Sequence, residues 1–231
     1  VTALWAWKRL TAITIAVLVM TGAASCGQNE FTYVRDREGT TYFKVPATFA
    51  QVESYGIDLF LSGDNPESES ARLAKQRVWS TAFDQATEPT PEHLISSTEP
   101  FVYATVHKLT EDQVGAISMN RLRDFFLPVT KDLRGALEQQ AAMAGREMRF
   151  TKFELLADDL LSLEGGARGV HVRFNYEFQG KVQTYDLTSL LDEKGATVSA
   201  LVISCHSLCF RARAGEFDKI KDSFKLIRMP G

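Results

Sequence analysis

The sequence is poor in the groups that most often carry chemistry. Its 231 residues include four histidines, three cysteines and three tryptophans. His93, His107, His171 and His206 show no mutual metal-ligand spacing. A Gly-x-Ser-x-Gly elbow, a phosphate-cradling glycine loop and a dinucleotide fingerprint are all missing, and with them the sequence signatures of the common hydrolases and nucleotide-binding enzymes. There is no Asn-x-Ser/Thr sequon and no internal repeat. Positive charge is not in excess: the formal charge is −3, which argues against a general binder of nucleic acid. Asp158-Asp159 and the Glu216/Asp218 pair are acidic clusters, but neither has the layout of a catalytic carboxylate pair. They read as a turn and a helix start, where acidic side chains are favoured. The single long apolar run, Leu10 to Ala24, is about 15 residues, short of the roughly 20 that a spanning helix needs.

That short run has a definite context. Lys8-Arg9 precedes it, and Thr21-Gly22-Ala23-Ala24-Ser25-Cys26 follows. A charged n-region, an apolar h-region and small residues before a cysteine resemble a bacterial lipoprotein signal. The usual pattern has Leu three residues before the cysteine, where this chain has Ala23. Ordinary secretion with an unmodified Cys26 and an uncleaved anchor are therefore the alternatives. The expectation is a signal peptide over 1–25, a lipid on Cys26, and a tether that ends at Glu30. Diacylglycerol and an amide-linked chain would together pass the two-signal threshold for stable membrane anchoring. Gly27 to Glu30 reach at most about 14 Å, so the domain would sit close to the membrane surface on its extracytoplasmic side.

Residues 31–231 then form a single domain; the full 231-residue chain has an ordinary globular composition, 45% hydrophobic and 24% charged. Loss of Lys8 and Arg9 takes the formal charge from −3 to −5. Phe31 to Phe49 reads as a β-hairpin around Arg35-Asp36-Arg37-Glu38-Gly39, stopped by Pro46. Ser62 to Ser70 is a polar loop around Pro66. Strands are expected at Lys75–Ala82 and Phe101–Lys108, with Glu88-Pro-Thr-Pro91 as a loop between them. Thr110-x-x-Gln113 has capping-box spacing and opens a helical pattern through Ile117, Leu122 and Phe125, broken by Pro128. Thr130 caps a second helix that Gly145 closes.

The C-terminal third carries the clearest pattern. Phe150 to Leu163 is one long strand. Val170, Val172, Phe174, Tyr176 and Phe178 alternate with polar residues, as in a half-buried strand. Gln179-Gly-Lys and Asp192-Glu-Lys-Gly195 are turns into Val182–Leu191 and Thr197–Ser204, giving an antiparallel meander. A last helix spans Glu216–Ser223, and Leu226-Ile227 closes as a short strand. The fold class is α+β: an antiparallel sheet packed with helices. His107 and His171 fall on alternating strand patterns, which predicts solvated polar faces for both.

The hairpin ending in Val45-Pro46, the Gly169-Val170-x-Val172-x-Phe174 strand and the closing Phe217-x-x-Ile220-x-x-Ser223-Phe224 resemble the PsbP-like group. That group includes photosystem accessory proteins and many bacterial lipoproteins. The resemblance implies an α/β/α sandwich and an accessory, non-enzymatic role. Envelope lipoproteins that carry lipids in a half-barrel are similar in size and location.

Cys205-His206-Ser207-Leu208-Cys209 is one ligand short of a closed zinc site and lacks the order of a haem motif. After export, Cys205 and Cys209 remain as an even pair, for which a structural disulfide is the expectation. Redox activity, metal binding and free thiols are the alternatives. Arg121, Arg123, Lys131 and Arg134 form a basic stretch that reads as a solvated face or as contacts to anionic headgroups or a partner. No catalytic residue, metal or cofactor is expected. The sequence thus points to a lipid-anchored binding or accessory protein of the envelope, with a protein partner or lipid ligand. A lipid or glycolipid carrier with an apolar cavity and an envelope enzyme of unknown class are the alternatives.

Overall fold

The computed structural model describes residues 29–63 and 65–227. The signal segment 1–25, Cys26 and the first tether residues lie outside the described residues. The chain runs β1 (Phe31–Arg35), β2 (Thr41–Pro46), β3 (Ala50–Val52), α1 (Tyr55–Ser62), α2 (Glu69–Arg77), β4 (Val78–Asp84), a 3-10 turn (Pro91–Leu94) and β5 (Phe101–Lys108). Then come α3 (Met119–Arg123), α4 (Lys131–Met143), β6 (Phe150–Ser162), β7 (Arg168–Phe178), β8 (Lys181–Leu191), β9 (Thr197–His206), α5 (Ser207–Ala212), α6 (Ala214–Ser223) and β10 (Lys225–Leu226).

Seven strands make one antiparallel sheet in the order β3-β4-β5-β9-β8-β7-β6. β9 is its central strand, and the β7–β8–β9 meander leads from it toward the β6 edge. Phe178 pairs with Lys181 across the Gln179-Gly180 turn. Both turn residues have positive φ, 51° and 76°, which matches the right-handed twist of the flanking strands. At Gly169 the need for glycine is steric. A Cβ there would meet the Ser189 carbonyl oxygen at 2.1 Å.

Both faces of the sheet are covered. On one face, Phe43 and Val45 of the hairpin and Phe217 and Ile220 of α6 pack on Val102, Leu201 and Ile203. β10 adds to β2 in a separate three-stranded sheet, and Thr41 Oγ1 meets Ser199 Oγ at 2.8 Å. On the other face, Ile57 of α1, Leu94 and the Phe126–Val129 segment pack on Tyr103, Phe174, Tyr185 and Val202. The result is a layered α+β sandwich with an apolar core on each face of the sheet.

Four local expectations need correction. Ser62 ends α1 and Glu69 begins α2, so the loop expected over Ser62–Ser70 is shorter, and the two helices that flank it are elements the pattern did not announce. The strand expected from Lys75 begins at Val78, because Lys75 and Arg77 close α2. Thr110 to Ala116 is a series of turns in which Thr110 N donates to Gln113 Oε1 at 3.1 Å. The helix itself is only the five residues of α3, capped by Ser118. Asp158 and Asp159 lie within β6 rather than in a turn. The Thr130 cap and Gly145 stop of α4 are observed.

Candidate functional site

On the second face the sheet is left partly open. Between α1 and α2 on one side and the Leu109–Phe126 segment on the other runs a groove of about 630 Å³. Its floor is made by β4 and β5, chiefly Val78, Ser80, Tyr103 and His107. Val78 and His107 are directly paired, as are Ser80 and Thr105, so these side chains share one face of the sheet.

Asp58 reaches this floor from α1. Its Oδ1 accepts from the Tyr103 hydroxyl at 2.6 Å, and its Oδ2 accepts from Ser80 Oγ at 2.6 Å. Ser80 Oγ also lies 2.9 Å from Ser54 Oγ, at the start of the helix. Burial raises the pKa of Asp58, partly offset by the hydrogen bonds from Ser80 and Tyr103. Tyr103 is 2% exposed, and its pKa is raised by burial and by the Asp58 charge. The carboxylate therefore pins α1 to the sheet at the bottom of the groove.

His107 stands at the other end of the floor. The solvated position expected for it is corrected: β5 is buried on both faces over Phe101–Val106, so alternation does not give it a wet side. Its ring meets Phe125 edge-on, centroids 5.0 Å apart at 75°. Burial pushes its pKa down to about 4, so it is a neutral imidazole at neutral pH.

The groove walls are apolar and its margins are charged. Leu59, Leu61, Ile117 and Phe125 are half-buried in the walls. Arg37, Lys75, Arg77, Lys108 and Arg121 line the same groove, and all five are exposed. The acids there are already engaged. Glu53 accepts from the backbone amide of Tyr55 at 2.9 Å. Asp124 accepts from the amides of Val129 and Thr130, both at 2.7 Å.

The residues singled out in the sequence are dispersed. Arg121 lines the groove. Arg123 donates from Nε to Asp158 at 2.9 Å. Arg134 lies 3.8 Å from the Phe153 ring centroid and donates to the Val129 carbonyl. Lys131 is exposed at the start of α4. Cys205 and Cys209 form a disulfide with Cα atoms 6.1 Å apart. It ties the end of β9 to the helix α5.

His171, like His107, is withdrawn from solvent, and it stands on the opposite sheet face. Nε2 donates to Asp186 at 2.9 Å and Nδ1 faces Asp159 at 3.3 Å. Burial lowers its pKa, but the hydrogen bond and charge of Asp186, with Asp159, outweigh this and raise it. Arg173 donates from Nε to the other oxygen of Asp186 at 2.6 Å and reaches Asp218 of α6 at 3.2 Å. This chain of charges fastens α6 to the meander. His93 meets the fully buried Asp84 at 2.6 Å, and His206 ends β9. Among the described residues no cluster of histidine, cysteine and acidic side chains is placed to hold a metal ion.

Asp58, Ser80 and Tyr103 were missed in the sequence. The available signal was a carboxylate inside an apolar helical run, Ile57-Asp58-Leu59-Phe60-Leu61. A charged residue in such a run calls for a partner.

The architecture is that of the PsbP-like fold. The solution structure of cyanobacterial PsbP from Synechocystis aligns over 90% of this chain and 99% of its own, at TM-score 0.50 and 10% identity. LpqN of Mycobacterium tuberculosis, described as involved in cell envelope biogenesis, aligns over 86% and 91% at TM-score 0.45 and 16% identity. The Ran-binding protein Mog1p of Saccharomyces cerevisiae aligns over 85% and 95% at TM-score 0.40 and 9% identity. No protein-family model matches the chain, and no curated protein matches it. At such identities the likeness extends to the fold, and the groove must be judged on its own chemistry.

Proposed function

We propose that the protein is a non-enzymatic binding or accessory lipoprotein, held by Cys26 on the extracytoplasmic side of a membrane. The observation that carries the binding reading is the groove of about 630 Å³. It lies within the roughly 300–1,000 Å³ range of small-molecule sites and joins apolar walls to a few fixed polar groups, the usual make-up of such sites. The Cys26 signal supports the anchor, and no helix among the described residues is long and apolar enough to cross a membrane.

The polar floor argues for binding over catalysis. Asp58 engages both oxygens with Tyr103 and Ser80, which fixes those hydroxyls and pins α1 to the sheet. Arg121 and Lys131 are the members of the basic stretch whose charges are available to headgroups or to a partner.

The test is native mass spectrometry of protein extracted from membranes in mild detergent. Wild type should carry a bound small molecule. Ala74→Trp, which fills the groove from the half-buried wall of α2, should lose it while keeping its melting temperature. An equal bound mass on both proteins would reject the groove as the binding site.

A further inference from the structure

We infer that the groove takes an amphipathic anion: a single apolar chain or ring system ending in a carboxylate or a phosphate monoester. This inference rests on the binding reading above and names its ligand class.

The charge balance around the groove carries the argument. Five cationic side chains line it, and Lys108 is spent on Glu38. Lys75 rests on the Tyr55 ring, 4.7 Å from its centroid, a contact that leaves an ammonium free to accept an anion as well. Arg77 lies in the field of exposed Asp112. Arg37 and Arg121 have no side-chain ion pair or hydrogen bond among the described residues. The acidic side chains of the groove do not answer this charge. Glu53 caps α1, Asp124 holds the start of α4, and Asp58 is tied down on the floor. The margin is therefore a cationic collar of which, among the described residues, Lys108 alone is held in an ion pair, to Glu38, although the whole protein is acidic, at −3.

The collar stands above an apolar wall. The cations are exposed, whereas Leu59, Leu61, Ile117 and Phe125 are half-buried. A wholly polar anion would leave the groove-facing surfaces of those four side chains without an apolar partner. A neutral apolar molecule would leave the arginines unused. A molecule with an apolar body and an acidic end satisfies both, because guanidinium groups recognise carboxylate and phosphate oxygens through paired N–H donors.

Four probes of matched chain length test this: decanoate, decyl phosphate, decyl maltoside and decyltrimethylammonium. Each is titrated into the folded domain below its micellar concentration and followed by amide chemical shifts. The expected result is binding of decanoate or decyl phosphate at least tenfold tighter than decyl maltoside, with shifts at Asp58, Ala74 and Ile117. Whichever of the two anions binds tighter identifies the carboxylate or the phosphate as the preferred head. Raising the salt from 0.05 to 0.5 M should weaken the anions and leave the neutral probe unchanged. The exposed substitutions Arg37→Gln, Arg77→Gln and Arg121→Gln, combined, should remove the preference for the anions. Equal binding of decyl maltoside, or tighter binding of the cation, would overturn the anionic class while leaving the groove as a binding site. Shifts absent from the groove with all four probes would overturn both readings.

Discussion

His107→Phe should make the protein resist acid. In the folded chain the imidazole is held at a pKa of about 4 by burial, against about 6.5 in an unfolded chain. Between those values the unfolded chain binds a proton that the folded chain does not, so stability falls as the pH is lowered from 6.5 to 4 and the loss is complete below 4. A difference of about 2.5 pKa units corresponds to about 3 kcal/mol. In a domain of this length that is about 6–12 °C in melting temperature. Phenylalanine keeps the flat ring against Phe125 and cannot take up the proton. Urea denaturation of wild type and His107→Phe at pH 7 and at pH 4 isolates the effect, since the other titrating groups are common to both. The wild type should lose about 3 kcal/mol more than the variant over this range. Equal losses would refute the burial of His107 as the source of acid sensitivity, as would a His107 resonance titrating near 6.5.

Three further outcomes follow from the packing and the signal. Asp186→Asn takes the shared negative charge from His171 and Arg173; with Asp159 and Asp218 left as outer partners, it should cost about 3 kcal/mol in urea denaturation. The raised pKa of His171 stabilises the fold below about 6.5, and that stabilisation is lost as the pH rises through the folded value, so the penalty of Asp186→Asn should be larger at pH 6 than at pH 9. Gly169→Ala forces a Cβ onto the Ser189 carbonyl and Leu190, a backbone clash at the β7–β8 pair that should cost about 3 kcal/mol by the same assay. Intact-mass measurement of the membrane fraction should find a chain beginning at Cys26 with acyl mass added, and Cys26→Ala should release the protein or stall its processing; a soluble, unmodified N-terminus in the wild type would sink the anchor.

The parts of the fold legible in the sequence are those whose pattern is set locally. Val170 to Phe178 alternates because one side of β7 meets the second core while His171, Arg173 and Asn175 point the other way. Its neighbours follow from tight turns with glycine at the αL positions Gly180 and Gly195. α4 is announced by its cap and stop even though none of its side chains is buried. α2 gave no such signal: it has one buried residue, Ala71, so no apolar stripe repeats at helical spacing. α1 is eight residues long, too short for its period to stand out. Alternation along a strand does not by itself give His107 or His171 a wet face. β5 lies between two cores, and His171 is drawn onto the buried Asp186. The groove could not be read at all. Asp58 and Tyr103 are 45 residues apart, and only the closing of β4 on β5 beneath α1 brings them together.

The claim at the centre of this account is that the groove is the working surface in the cell. Photo-crosslinking reads it directly. A benzophenone amino acid would be placed at Ile117 or Leu61 in the groove, and at Leu208, which is exposed at 66% on α5. After irradiation of living cells, mass spectrometry of the purified protein should show one defined adduct from the groove positions and none from Leu208. Adducts of equal yield from Leu208, or none from either groove position, would contradict the account.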